Sequence, residues 1–294
     1  MSASSTISTI TGHANADHTI GDHAIVIGGS IAGLLSARVL TQTFARVTVI
    51  ERDHLPDAPT FRTGAPHARH AHGLLVRGQE IMEGYFPGMT ATLLEKGAIR
   101  ANLGQELALS IGGVRVQPYA SAWHIVACSR PLLEQTLYQR LRANVQVQFL
   151  DGRDVVGLCA DASNRRVTGL RVQQRGGNTP IEELAADLVV DASGHTSKMP
   201  AWLEELGYVP PAETTVDAQA GYASRIYRRT QPFHQHKAIY GMPQAPHRSR
   251  GCILVPMEDD RWQVTLTGLN GDHPPTDEAG FLAFAKSVPV PEFH

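Results

Sequence analysis

Gly28-Gly29-Ser30-Ile31-Ala32-Gly33 carries the clearest chemistry in this sequence. In a dinucleotide-binding turn the first glycine bends the chain sharply. The third position lets backbone approach a pyrophosphate, and the last glycine lets a helix pack closely on its strand. Ser30 holds the third position, where a glycine is expected, so that approach is more crowded. A helix opening at Ile31 would offer unpaired N–H groups and the positive end of its dipole to phosphates. Glu51 follows about 20 residues past the turn, where an acid accepts hydrogen bonds from ribose hydroxyls. An acid there fits an adenosine with a free 2′-hydroxyl, as in FAD or NAD.

Histidine is the second candidate chemistry. His67, His70 and His72 fall in one loop, and His234 and His236 form a second pair. His-x-His spacing on extended chain puts two rings on one face, as a metal site would need. No Cys or acid completes either group in sequence, so no metal ligands are assigned. A loop tethered by histidine hydrogen bonds to backbone stays open as a reading.

The elements that must position these residues are legible around the glycine turn. Ala24-Ile25-Val26-Ile27 is a buried parallel strand, Ile31 to Thr43 a helix, and Arg46 to Ile50 a second strand. Together they form a βαβ unit with a right-handed crossover. Asp53 to Gly73 is a long loop, and loops of that length are more often functional than idle. Helices are expected over Leu74–Tyr85 and over Arg130–Arg142, the latter capped by Ser129. Strands follow at Val145–Leu150, Asp154–Ala160, Val167–Gln174 and Asp187–Val190. Past Pro210, short strands at Tyr222–Arg229, Ala238–Gly241, Cys252–Pro256 and Trp262–Thr267 suggest a mostly antiparallel sheet. A helix over Asp277–Ser287 closes the sequence.

Three stretches taken in order extend the reading: Gly28 to Gly33, Cys128-Ser129-Arg130-Pro131-Leu132-Leu133, and the strand ending in Asp191-Ala192-Ser193-Gly194. This set resembles the group A flavoprotein monooxygenases of the p-hydroxybenzoate hydroxylase fold. The segment Arg62 to Leu75 is most similar to the flavin-dependent epoxidases and hydroxylases of natural-product biosynthesis. The resemblance covers about Ile25 to the C-terminus. It implies an α/β fold, a Rossmann-type FAD-binding domain with an interleaved, mostly antiparallel substrate-domain sheet. The expected division is a tail over 1–22, an FAD-binding domain over 23–207 that contains the 53–73 loop, and a substrate-domain sheet with its closing helix over 208–294.

The resemblance also implies the site. Gly28, Gly29, Ser30, Ile31, Ala32, Gly33, Glu51 and Arg52 would bind FAD, and Arg130 would reach its phosphates or ribose. Asp191 and Gly194 would form a second turn that touches FAD and serves NAD(P)H recognition, with Gly194 allowing close backbone approach and Asp191 fixing the turn. His70 and His72 would lie near the flavin ring as catalytic residues. The implied activity is epoxidation or hydroxylation of an apolar small molecule through a flavin C4a-hydroperoxide, with NAD(P)H as reductant and O₂ as oxidant. A flavin oxidoreductase without oxygen activation, and a non-catalytic nucleotide-binding remnant, are the alternatives. The tryptophan-rich motif of flavin halogenases is absent; Trp123 and Trp262 read as core residues. Gly271-Asp272 reads as a loop of the substrate sheet, because no glycine-rich turn follows it. The family's third FAD motif would then fall beyond His294, as in a C-terminally shortened member.

Composition narrows the classes. A formal net charge of −2 gives no basic excess for nucleic acid. No apolar run approaches the roughly 20 residues that span a bilayer. The three cysteines, Cys128, Cys159 and Cys252, are far apart, which fits a reduced, cytoplasmic setting. Met1 to Asp22 lacks the features of a secretion signal and reads as a mobile tail.

Overall fold

The computed structural model describes residues 19–177, 179–233, 235–244 and 246–293. Along the chain run β1 (Gly21–Ile27), α1 (Ile31–Leu40), β2 (Phe44–Glu51), α2 (Val76–Tyr85), α3 (Met89–Glu95), β3 (Ile99–Asn102), β4 (Leu107–Ile111) and β5 (Val114–Arg115). There follow β6 (His124–Ala127), α4 (Arg130–Arg142), β7 (Val147–Asp151), β8 (Arg153–Ala160), β9 (Val167–Gln174), β10 (Glu182–Ala185) and β11 (Leu188–Asp191). The rest comprises α5 (Met199–Glu205), β12 (Gly221–Arg228), β13 (Ala238–Gly241), β14 (Arg250–Met257), β15 (Arg261–Gly268) and α6 (Glu278–Ser287).

These elements form two units, each drawn from three segments: 1–55, 84–87 and 141–209 make the first, and 56–83, 88–140 and 210–294 the second. Both α/β character and interleaving are as the sequence implies. The chain crosses between units several times, where the sequence reading draws one boundary near residue 207. Residues 21 and 22, placed in the tail on sequence grounds, belong to β1. Residues 1–18 of that tail lie outside the described residues.

The first unit holds a four-stranded parallel sheet in the order β11-β1-β2-β7. Ile25 and Ile27 of β1 and Ile50 of β2 pack with Leu158, Leu170 and Val172 of an antiparallel β10-β9-β8 sheet. Trp202 and Leu203 of α5 lie against the same cluster. The helix α1 buries Gly33, Leu34 and Ala37, and stops three residues short of the expected Thr43.

The second unit holds a six-stranded sheet in the order β12-β15-β14-β13-β4-β5. All its pairings are antiparallel except β13 with β4, where Ala238 sits opposite Leu107. Strands alternate their side chains between faces. One face buries Ala223, Cys252, Val264 and Leu266 against Phe281 and Phe284 of α6. Asp277 caps α6 by accepting from the Gly280 N–H at 2.8 Å. Trp262 packs on this core and meets Phe233 edge-on at 5.5 Å, but Trp123 is 59% exposed and is no core residue. It lies beside β6, part of a two-stranded pair with β3 whose neighbours do not cover it.

Gly271-Asp272 is a loop of this sheet, as expected. The Asp272 carboxylate accepts from Arg250 Nε at 2.7 Å and Nη2 at 2.9 Å, and from Ser249 Oγ at 2.6 Å. The Arg250 hydrogen bonds, then that of Ser249, hold its pKa down at about 2. Stability from this group is fully present above the ordinary value of 3.8 and is lost as pH falls through about 2. Asp272→Asn is therefore expected to lower the thermal midpoint at neutral pH, and the gap to the parent chain should close toward pH 2. Leu266→Ala, at a fully buried position, should cost about 2–5 kcal/mol in denaturant unfolding.

Candidate functional site

The glycine turn joins β1 to α1 in the first unit. Gly28 has φ +101°, and a Cβ there would meet the Ala192 carbonyl oxygen at 2.5 Å. A Cβ on Gly33 would lie 1.7 Å from the Gly28 carbonyl oxygen. Both positions therefore exclude every side chain, one by conformation and contact, the other by contact alone. The Gly28 N–H donates to the Ile50 carbonyl at 2.7 Å, which fastens the turn to the end of β2.

Ser30 is extended (φ −94°, ψ −173°) and does not cap α1 with its side chain. No acid occupies the first turn of the helix. The first intrahelical bond runs from the Leu34 N–H to the Ser30 carbonyl. The amides of Ile31, Ala32 and Gly33 thus lead into an α-helix of 10 residues whose positive end meets no side-chain cap. Such an end suits a phosphate-bearing ligand.

Glu51 is buried at the end of β2. Its Oε2 accepts from the Gly29 N–H at 2.6 Å, and its Oε1 from the Asp53 N–H at 3.0 Å. These bonds fix the carboxylate against the glycine turn at Gly29. A carboxylate accepts about four hydrogen bonds, so backbone anchoring is compatible with ribose hydroxyls as partners. The donor set, with backbone N–H groups at a helix start and an oriented acid alongside, fits an adenosine diphosphate moiety. Arg52, next to it, is exposed.

The second turn of the first unit closes on itself. Asp191 Oδ1 accepts from the Ser193 N–H at 2.9 Å, Oδ2 accepts from the Ser197 hydroxyl, and Ser197 Oγ accepts from the Met199 N–H at 3.0 Å. Asp191 fixes this turn as expected. Gly194 has φ +90°, and a Cβ there would meet nothing within 4 Å. The positive φ alone favours glycine there, and the side a Cβ would fill is open.

In the second unit Arg130 opens α4, behind Ser129, whose hydroxyl caps the Leu132 N–H at 3.1 Å. Arg130 Nε donates to Glu134 Oε1 at 2.7 Å, and Arg62 Nη2 donates to Glu134 Oε2 at 3.0 Å. The three side chains are 14%, 8% and 11% exposed for Arg130, Arg62 and Glu134. One carboxylate between two guanidiniums leaves a net positive charge. Sequence reasoning missed Glu134 and the role of Arg62; the i, i+4 spacing of Arg130 and Glu134 was the available signal.

The segment 66–72 of the long loop contains a short 3₁₀ turn, Pro66–Arg69, and carries three histidines. His72 Nδ1 bonds the His70 carbonyl at 2.8 Å, and the His67 and His72 rings lie 5.7 Å apart. His70 Nδ1 bonds Ser224 Oγ at 2.9 Å, and Gln263 Nε2 donates to the Arg69 carbonyl at 2.9 Å. His70 therefore tethers the loop to a strand hydroxyl, while His72 bonds backbone of the loop itself. Desolvation, then the positive charge of Arg130, lowers the pKa of both His67 and His72. His236 accepts from Arg115 Nη2 at 3.0 Å, while its sequence neighbour His234 lies outside the described residues. Among the described residues no three His, Cys, Asp or Glu side chains gather as metal ligands would.

A parallel βαβ sheet with a glycine turn and an oriented acid at the end of the second strand is the arrangement of a dinucleotide-binding α/β fold. The chain belongs to the FAD binding domain family, whose match spans residues 23–278. It is 35% identical over 272 residues to Protein Rv3254 of Mycobacterium tuberculosis, covering 89% of this chain and 57% of that protein. The chain thus spans little more than half the length of that relative. Its fold is also that of PqsL, a probable FAD-dependent monooxygenase from Pseudomonas aeruginosa (TM-score 0.62, 14% identity, 85% of this chain and 61% of that one). p-Nitrophenol 4-monooxygenase PnpA from Pseudomonas putida is similar as well (TM-score 0.62, 16% identity, 90% and 61%). Flavin-dependent halogenases share the fold. Among the described residues no helix is long and apolar enough to cross a membrane.

The histidine environment yields a measurable consequence. His67 and His72 should titrate below 6.5 by imidazole NMR, and Arg130→Gln should move both upward by removing a shared repulsion. Because the folded chain holds fewer protons at these rings, their contribution to stability is present above 6.5 and declines as pH falls below it.

Proposed function

We propose that this chain binds FAD and that the protein is a flavin-dependent monooxygenase of apolar small molecules, epoxidising or hydroxylating them with NAD(P)H as reductant and O₂ as oxidant. The observation that carries the reading is the pairing of the Gly29 N–H with Glu51 beside the start of α1, in a chain of the FAD binding domain family. When bound, FAD supplies electron storage and oxygen activation; the protein contributes binding, orientation and exclusion of water.

In this reading the amides of Ser30, Ile31, Ala32 and Gly33 receive the pyrophosphate, Gly28 and Gly29 clear the backbone around it, and Glu51 with Arg52 receives the adenosine ribose. Asp191 and Gly194 shape the second turn, toward FAD and the nicotinamide reductant. Arg130 meets FAD phosphate or ribose, supported by Glu134, which holds its guanidinium in place. His70 and His72 act at the flavin edge. His72, its pKa lowered by burial, is neutral at physiological pH and so serves as a hydrogen-bonding group rather than a charge. The oxygen-transfer reading also draws on the monooxygenases among the solved structures of the same fold.

Visible absorption tests this directly. Adding FAD to the purified chain should give a shifted, structured flavin band, and NADPH under anaerobic conditions should bleach it. Glu51→Gln should keep the fold and weaken FAD binding about tenfold or more, the scale of a hydrogen bond to a charged acceptor. No spectral change with FAD in excess would refute binding by this chain. Binding without bleaching by either NADH or NADPH would refute the proposed reductant.

A further inference from the structure

Strands β12 and β15 pair so that Ser224 stands directly opposite Thr265. Directly paired residues share a face of the sheet, and this is the face turned away from the Val264 and Leu266 core. The two hydroxyl oxygens lie 2.6 Å apart. Thr265 Oγ1 also accepts from the Ala71 N–H at 3.0 Å, and Ser224 Oγ lies 2.9 Å from His70 Nδ1. Four groups from the 66–72 segment and two strands thus form one chain: amide, hydroxyl, hydroxyl, imidazole.

The chain has a direction. A hydroxyl has one proton to give. Thr265 is 1% exposed, and besides the Ala71 amide, which can only donate to it, its partner among the described residues is Ser224. The Thr265 proton therefore points to Ser224 Oγ. Ser224, having accepted it, gives its own proton to the remaining neighbour, His70 Nδ1. An imidazole nitrogen that accepts in the neutral ring carries no proton, so the ring proton sits on Nε2. That nitrogen has no partner among the described residues and is not among the buried unpaired atoms.

We propose that Ser224 and Thr265 are positioning residues that fix the neutral His70 ring in its Nε2–H tautomer and present that N–H as a donor to a bound ligand. The acceptor it fits is a carbonyl oxygen or an unprotonated ring nitrogen, both of which a flavin ring offers; this last step rests on the reading of His70 as a flavin-edge residue. The strands supply the rigidity: two paired residues on a sheet hold the imidazole orientation more firmly than the loop that carries it.

Nitrogen-15 NMR of the imidazole-labelled chain at alkaline pH tests the proposal. In the parent chain His70 should show one protonated and one accepting nitrogen, with the proton assigned to Nε2 by its coupling to both ring carbons' protons. Ser224→Ala and Thr265→Val should each make the two nitrogen shifts converge, as the tautomers mix. Thr265→Ser, which keeps the hydroxyl, should restore the parent pattern even if the valine variant is unstable. A proton on Nδ1 in the parent chain, or shifts unchanged by Ser224→Ala, overturns the tautomer assignment. Titration with FAD then separates the two layers. Movement of the His70 Nε2–H resonance supports the flavin as acceptor. A bound flavin band with that resonance unmoved overturns the ligand assignment and leaves the tautomer result standing. Absence of any flavin band counts against FAD binding itself.

Discussion

The Gly28 carbonyl oxygen occupies the space that a Cβ on residue 33 would need. That contact brings α1 down onto β1, and the rest of the first unit depends on it. With the helix this close, its first amides open at the turn rather than above it, and β2 pairs alongside β1 in parallel register. Glu51 ends that strand, within reach of the Gly29 N–H. The Ala192 carbonyl closes the other side of Gly28, so the second turn, held by Asp191, is packed against the first. A methyl group at residue 33 would displace the helix and every group that its position aligns.

The second unit follows a different constraint. Gln263, Thr265 and Thr267 are buried polar residues on β15, alternating with Val264 and Leu266 on the apolar face. A buried polar group without a partner costs about 1–3 kcal/mol. Gln263 and Thr265 find partners in the backbone of the 66–72 segment. A loop poor in regular structure is thereby ordered by the sheet it covers. The histidines on it inherit that order, and burial, joined by the positive charge of Arg130, lowers the pKa of both His67 and His72.

The sequence was most legible where local pattern and tertiary need agree. β-branched runs, the glycine turn and Glu51 located β1, α1 and β2 within a few residues, and α4, β9 and β13 have the bounds their patterns indicate. Local pattern assigns no element between residues 86 and 128, yet that segment contains α3 and β3 to β6. The helix α3 has seven residues and starts after a left-handed Gly88, too short for a helical period to show. β4 is specified by its parallel partner β13, far along the chain, which no local window contains. One signal there was readable: Ile111-Gly112-Gly113-Val114 is a two-residue hairpin with both glycines at positive φ, as such turns require. At the site, the turn residues were identifiable because each has a stereochemical duty. Ser224, Gln263 and Thr265 were not, because their partners lie far along the chain and are brought near only by folding.

β1 also sits between partners of very different sequence distance. It gains β2 almost at once, but its other edge waits for β11; the His23 N–H that meets Asp187 does so across 164 residues. At ribosomal rates of about 5–20 residues per second, that interval is roughly ten to thirty seconds. Throughout it, a strand whose apolar run Ala24 to Ile27 is buried in the finished fold presents an open edge during translation. Unpaired apolar edges of this kind recruit other strands, so yield of the soluble chain should be governed by elongation speed and chaperone supply as much as by the stability of the finished fold.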